Sequence, residues 1–180
     1  MSTALFDTDP NNFKAWYVDV LESLYPIRSA GIAAFMITLP LAERYLRQKA
    51  KVGPTSHLTD QCMKEFVGII PSLNNVKTAQ AFWTVYRHGF LHQGTLSVRN
   101  RSGVALPTGW LTHDQSDPFA IRSDGGFVVQ PVLFSKAVIG RILADFNTFS
   151  GVAGGAPPLP KVARLDPITI PSTYIGTRGG

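Results

Sequence analysis

The stretch Val76-Lys77-Thr78-Ala79-Gln80-Ala81-Phe82-Trp83-Thr84-Val85-Tyr86-Arg87-His88-Gly89-Phe90-Leu91-His92-Gln93-Gly94 decides how this chain is read. Its apolar residues Ala79, Phe82, Trp83, Tyr86 and Phe90 recur every three or four positions, the spacing that lines one face of an α-helix. Gly89 and Gly94 weaken the far end, so the helix is expected to stop near Gln93-Gly94. The same end holds the densest polar cluster of the chain, Arg87, His88 and His92. At about 100° per residue, His88 and His92 stand one turn apart and within roughly 40° of each other around the axis.

The helical period extends to either side. Upstream, Phe13, Trp16, Tyr17, Val20, Leu21 and Leu24 predict a helix from after Asp9-Pro10-Asn11 to Tyr25, ended by Pro26. A long helix follows from about Arg28 to Lys49, apolar nearly all round in its first half, as a central bundle helix would be, with a kink expected at Pro40. Thr59 can cap a third helix that ends near Ile70-Pro71 and buries Cys62, Met63, Phe66, Val67 and Ile70. Downstream of the quoted stretch the period changes. Residues 103–112 and 119–130 hold short alternating apolar runs, broken by Pro107-Thr108-Gly109, Asp117-Pro118 and Ser123-Asp124-Gly125-Gly126. Pro131 then opens a last helix, Val132 to Phe149, with the stripe Leu133, Val138, Ile142, Leu143 and Phe146. The expected fold is an all-α bundle of about five helices with a small β-hairpin insertion before the last one. Residues 1–150 form this domain, and residues 151–180, with six Gly and five Pro, are expected to be a flexible or partner-docked tail.

Composition narrows the classes of function. A chain of 180 residues, 44% of them hydrophobic, can bury a core without metal or disulfide staples. The single cysteine, Cys62, excludes an intrachain disulfide and four-cysteine zinc sites, and suits a reducing, cytoplasmic setting. The first residues lack a secretory signal, and the most apolar run, residues 30–42, is too short to span a membrane. No Gly-rich loop precedes Lys and Ser or Thr, so nucleotide hydrolysis of the P-loop kind is not expected. The net charge of +5 is uneven: residues 1–24 carry −3, while residues 28–101 carry +7, a basic middle able to meet phosphates.

Histidine moves protons near neutral pH, and arginine offers a permanent planar fork for phosphate oxygens. Together they suit phosphodiester cleavage without a metal or cofactor: one group transfers a proton and another holds the charge that builds on phosphorus. Zinc is the rival chemistry, because His88 and His92 have a ligating spacing. The Gly-Phe-Leu between them lacks the glutamate of a metalloprotease, and a third ligand would have to come from His57, His113 or Asp114. Those three read as exposed polar residues. Cys62 reads as a small buried hydrophobe, and Trp16, Trp83 and Trp110 as core or hairpin anchors.

The segment Arg87-His88-Gly89-Phe90-Leu91-His92 resembles the signature of HEPN domains, small helical bundles of which many are prokaryotic ribonucleases of toxin and antiphage systems. Their motif is Arg, then four to six residues, then His, often with a polar residue after the Arg. The aromatic-rich approach to Arg87, and the helix bearing Pro40-Leu41-Ala42-Glu43-Arg44, are also similar to that family. The resemblance implies that His92 is the principal acid/base and Arg87 the phosphate clamp. It makes His88 an orienting or second proton-transfer group, and Glu43 a residue that orients Arg87. It further implies an RNA substrate, a homodimer with facing motifs, and an antitoxin as a possible partner. Some members of the family are catalytically silent, so a dimerisation or ligand-binding module is the alternative.

Overall fold

A computed structural model describes residues 9–53, 57–97, 99 and 103–151; within the helix that ends at Gln93, the side chains of His92 and Gln93 lie outside that description. The expected tail, residues 151–180, lies outside it apart from Gly151. The described chain is mostly helical, with a small sheet ahead of the last helices.

Helix α1 is a rod of three parts: Pro10–Phe13, a π-helical stretch Lys14–Val18, and Asp19–Leu24. The Asp9 carboxylate accepts from the Asn11 N–H at 2.8 Å, and Pro10 fills the first turn, where no N–H is needed. The π stretch corrects the expected stripe. Bonding i→i+5 adds a residue to the turn, so Phe13, Val18 and Leu21 face the core, while Trp16 and Val20 are 37% and 41% exposed.

Helix α2 begins as a 3₁₀ turn, Arg28–Ala30, and continues as Gly31–Lys49, with Pro40 inside it on an exposed position. It packs along α5, Pro131–Ala144, where Phe35 meets Phe134 at 4.9 Å between ring centres and the Thr38 and Ser135 hydroxyls are 3.0 Å apart. The first half of α2 is not buried all round as its composition suggested: Ile32 and Met36 are largely exposed.

Helix α3, Asp60–Ile69, is capped by Thr59, whose hydroxyl accepts from the Cys62 N–H. It buries Cys62, Met63, Phe66 and Ile69. A short turn, Pro71–Leu73, leads to α4, where the Asn75 side chain accepts from the Thr78 N–H at 2.9 Å. Helix α4 is α-helical over Val76–Phe82 and π-helical over Trp83–Gln93, and it ends at Gly94 in the left-handed region, φ 64°. Phe66, Phe82, Tyr86, Phe119 and Phe134 form a fully buried aromatic centre between α3, α4, α5 and the sheet.

The insertion is larger than the expected hairpin. Strands β2, Phe119–Ile121, and β3, Phe127–Val129, pair antiparallel around Gly125 at φ 82°; β1, Gly109–Leu111, then adds parallel to β3, giving the order β1-β3-β2. The last helix is also two. Asp145 breaks it after α5, with φ −134° and ψ 45°, and starts α6, Phe146–Ser150. Leu143, expected in the buried stripe, is 44% exposed. The break has a local cause. The Asp145 carboxylate accepts from Lys49 Nζ at 2.7 Å, from Thr148 Oγ1 at 2.7 Å and from the Tyr45 hydroxyl at 3.0 Å. Three donors fix a conformation that a continuing helix would forbid. Among the described residues, no helix is long and apolar enough to cross a membrane.

Candidate functional site

The polar end of α4 is positioned by the sheet behind it. Tyr86 is fully buried; its hydroxyl lies 3.0 Å from the carbonyl oxygens of both Trp110 and Phe127 and accepts from the Trp110 N–H at 3.2 Å. Burial pushes its phenol well above the ordinary range, so it stays a neutral strut between β1, β3 and α4. β1 can come this close because residue 109 is glycine. A Cβ there would lie 2.8 Å from Val85 Cγ1 and 3.2 Å from the Tyr86 ring. One residue beyond the strut, Arg87 leaves the core side of the helix.

Arg87 Nε donates to Glu43 Oε2 at 2.6 Å. Glu43 sits on α2, and one turn on from it Arg47 donates from Nε and Nη2 to Oε1, at 3.0 and 2.7 Å. One carboxylate thus spans two guanidiniums, each oxygen engaged by a different arginine. All three side chains are four-fifths or more buried. Burial alone would raise the Glu43 carboxyl; the hydrogen bonds and charges of Arg47 and Arg87 outweigh it and hold the group below the usual carboxylate range. The triad keeps one net positive charge at neutral pH.

The triad lies along an open cleft of about 210 Å³. Trp83 and Met63 supply apolar lining; His88 from α4 and His57 from the loop before α3 supply imidazoles. His88 and His57 are both exposed. The π-helical turn narrows the spread of the α4 side chains. In an α-helix, residues five apart stand about 140° from each other around the axis. The i→i+5 bonding of the π-helix narrows that angle, for Trp83 with His88 and for Arg87 with the backbone position of His92.

Of the site residues named from the sequence, the structure brings Glu43, Arg87 and His88 to one cleft; the His92 side chain lies outside the described residues. His113 and Asp114 are elsewhere. The His113 ring packs against Gly31 at the start of α2, and Asp114 pairs with Arg28 at 3.5 Å. Among the described residues, no three His, Cys, Asp or Glu side chains form a group able to hold a metal ion. Sequence reasoning missed two cleft residues. Arg47 had a signal, its i, i+4 spacing from Glu43. His57 had none, because it lies between helices, where no periodicity tells which residue meets the cleft.

The arrangement can bind an anion beside two imidazoles and an apolar surface. No protein-family model, curated protein or solved structure matches this chain.

Proposed function

We propose that this protein is a metal-independent endoribonuclease of the HEPN kind, in which a ribose 2′-hydroxyl attacks the adjacent phosphate and leaves a cyclic phosphate and a 5′-hydroxyl. The observation that carries the reading is the Glu43 carboxylate held between Arg47 and Arg87 on a cleft that His88 also lines. A guanidinium aimed by a buried carboxylate is a fixed positive group, and a fixed positive group favours the doubly charged phosphorane over the singly charged diester. His92 is assigned the principal proton transfer and His88 the orientation of the phosphate. Glu43 acts through Arg87 and is a positioning residue. The working form is a cytoplasmic homodimer with Arg87 and His92 near its two-fold axis, held in check by an antitoxin.

The test is cleavage of single-stranded RNA by purified protein. Arg87→Ala and His92→Ala each lower the rate by about 10² or more, the scale of losing a transition-state donor or an acid/base, and His88→Ala lowers it less. Cleavage survives EDTA and stops on substrates lacking the 2′-hydroxyl. Each variant must keep the wild-type circular dichroism and mass, since a buried cluster is lost to misfolding as readily as to chemistry. Wild-type protein that stays dimeric and cuts no RNA points instead to the silent assembly module; loss of activity in EDTA with recovery in zinc points to a metal enzyme.

A further inference from the structure

We propose that His57 supplies the second proton transfer in the cleft, from the side that His57 and Leu58 line ahead of α3. The inference rests on the ribonuclease reading above and adds to it a residue outside the sequence motif.

In-line displacement at phosphorus places the attacking and leaving oxygens on opposite sides of the reacting centre. A base and an acid that serve both oxygens therefore need different directions of approach. His88 and His92 belong to the same end of one helix; His57 comes from another segment, 31 residues before His88, and lines the same cleft as Arg47, Glu43, Arg87 and His88. Gly53 before His57 and Asp60 after it, at the start of α3, are each held by a residue of the cleft. Arg47 Nη1 donates to the Gly53 carbonyl at 2.9 Å, and Gln80 Nε2 donates to Asp60 Oδ1 at 2.8 Å. Leu58, next in sequence, is half-buried and lines the cleft too. The exposure of His57 lets water reset its protonation after each turnover.

The step balances without a co-reactant. The 2′-oxygen bonds to phosphorus and its proton passes to a neutral imidazole. The bond from phosphorus to the 5′-oxygen breaks, and that oxygen takes a proton from an imidazolium. One of these two rings is His57 and the other belongs to α4, so the pair exchanges protonation states and solvent restores them.

Two measurements on the full chain separate this inference from the reading beneath it. The first needs no turnover: histidine ring C–H signals are followed by NMR while a nucleoside 3′-monophosphate is added. The signals of His57 and His88 both move, and Arg87→Ala weakens both responses. The second is the pH dependence of RNA cleavage. Wild type gives a bell; His57→Ala is slower by about 10² or more, loses one limb and recovers in part with added imidazole, and His57→Asn stays slow. Wild-type cleavage with an unchanged rate and both limbs in His57→Ala overturns the role of His57 and leaves the ribonuclease reading standing. A His57 signal unmoved by the nucleotide overturns its place in the site whether or not RNA is cut. A wild type that cuts no RNA removes the ribonuclease reading and this proton transfer with it.

Discussion

Glu43 lies where two opposing effects on a carboxylate meet, and the arginines win. Because its folded pKa lies below the unfolded value, the unfolded chain binds more protons than the folded one as the pH drops into the acid range. The stability Glu43 provides is therefore fully present above about pH 4.5, its ordinary value, and is lost as the pH falls through the folded value. Asp145 adds a second loss, lower on the scale. Burial would raise it, but the hydrogen bonds from Lys49, Thr148 and Tyr45 bring it from 3.8 to about 2. The melting temperature should fall in two overlapping stages, below about pH 4.5 and then on toward pH 2. Glu43→Gln should start lower at neutral pH and decline less in the upper stage, and Asp145→Asn less in the lower one. Circular dichroism melts across this range check both, and an unaltered upper slope in Glu43→Gln would remove the carboxylate from the account.

At the scale of elements, β1 and α4 meet through residue 109. Alanine there must push Val85 and Tyr86, and overpacking of this kind costs about 1–3 kcal/mol. Gly109→Ala should lower the unfolding free energy by that amount, read as a lower urea midpoint with an unchanged slope. It should also depress any activity that depends on Arg87, because Arg87 follows Tyr86 directly. Most elements were legible from side-chain period and caps: Asp9, Thr59 and Asn75 sit where helices start, and Gly94 where one ends. The errors have physical reasons. Nothing in Lys14–Val18 or Trp83–Gln93 marks a π-helix, since the same residues fit an α-helix locally and only packing selects the wider turn. β1 could not be placed parallel to β3, because strand order depends on contacts beyond any one segment. In the site, Arg87 and His88 stood out by their clustering, whereas the link from Glu43 to Arg87 spans 44 positions and was expected from the family resemblance alone, no local spacing pointing to it.

Over the whole molecule, the basic middle of the sequence becomes local. Arg47 and Arg87 reach one carboxylate from different helices, and Arg44, beside them in sequence, turns away to the Phe149 carbonyl at 3.1 Å, closing the end of α6. The proposed function carries a prediction at this scale. Light scattering at tens of micromolar should give twice 19.6 kDa, and a monomer would break the link between paired motifs and activity. The two π stretches bear on how this chain can vary in length. In each, the turn contains one residue more than an α-helical turn holds, so the spacing from Phe13 to Val18 and from Arg87 to His92 is a matter of count as much as of identity. Substitution at an exposed position such as Lys14 leaves that count alone. Deleting the same residue returns the turn to the α-helical count, with Val18 then four and Leu21 seven positions after Phe13, so both stay on the core face. Homologous sequences should therefore accept a one-residue gap inside these intervals while keeping the same core residues on either side, and such a gap would mark a helix that lacks the wider turn.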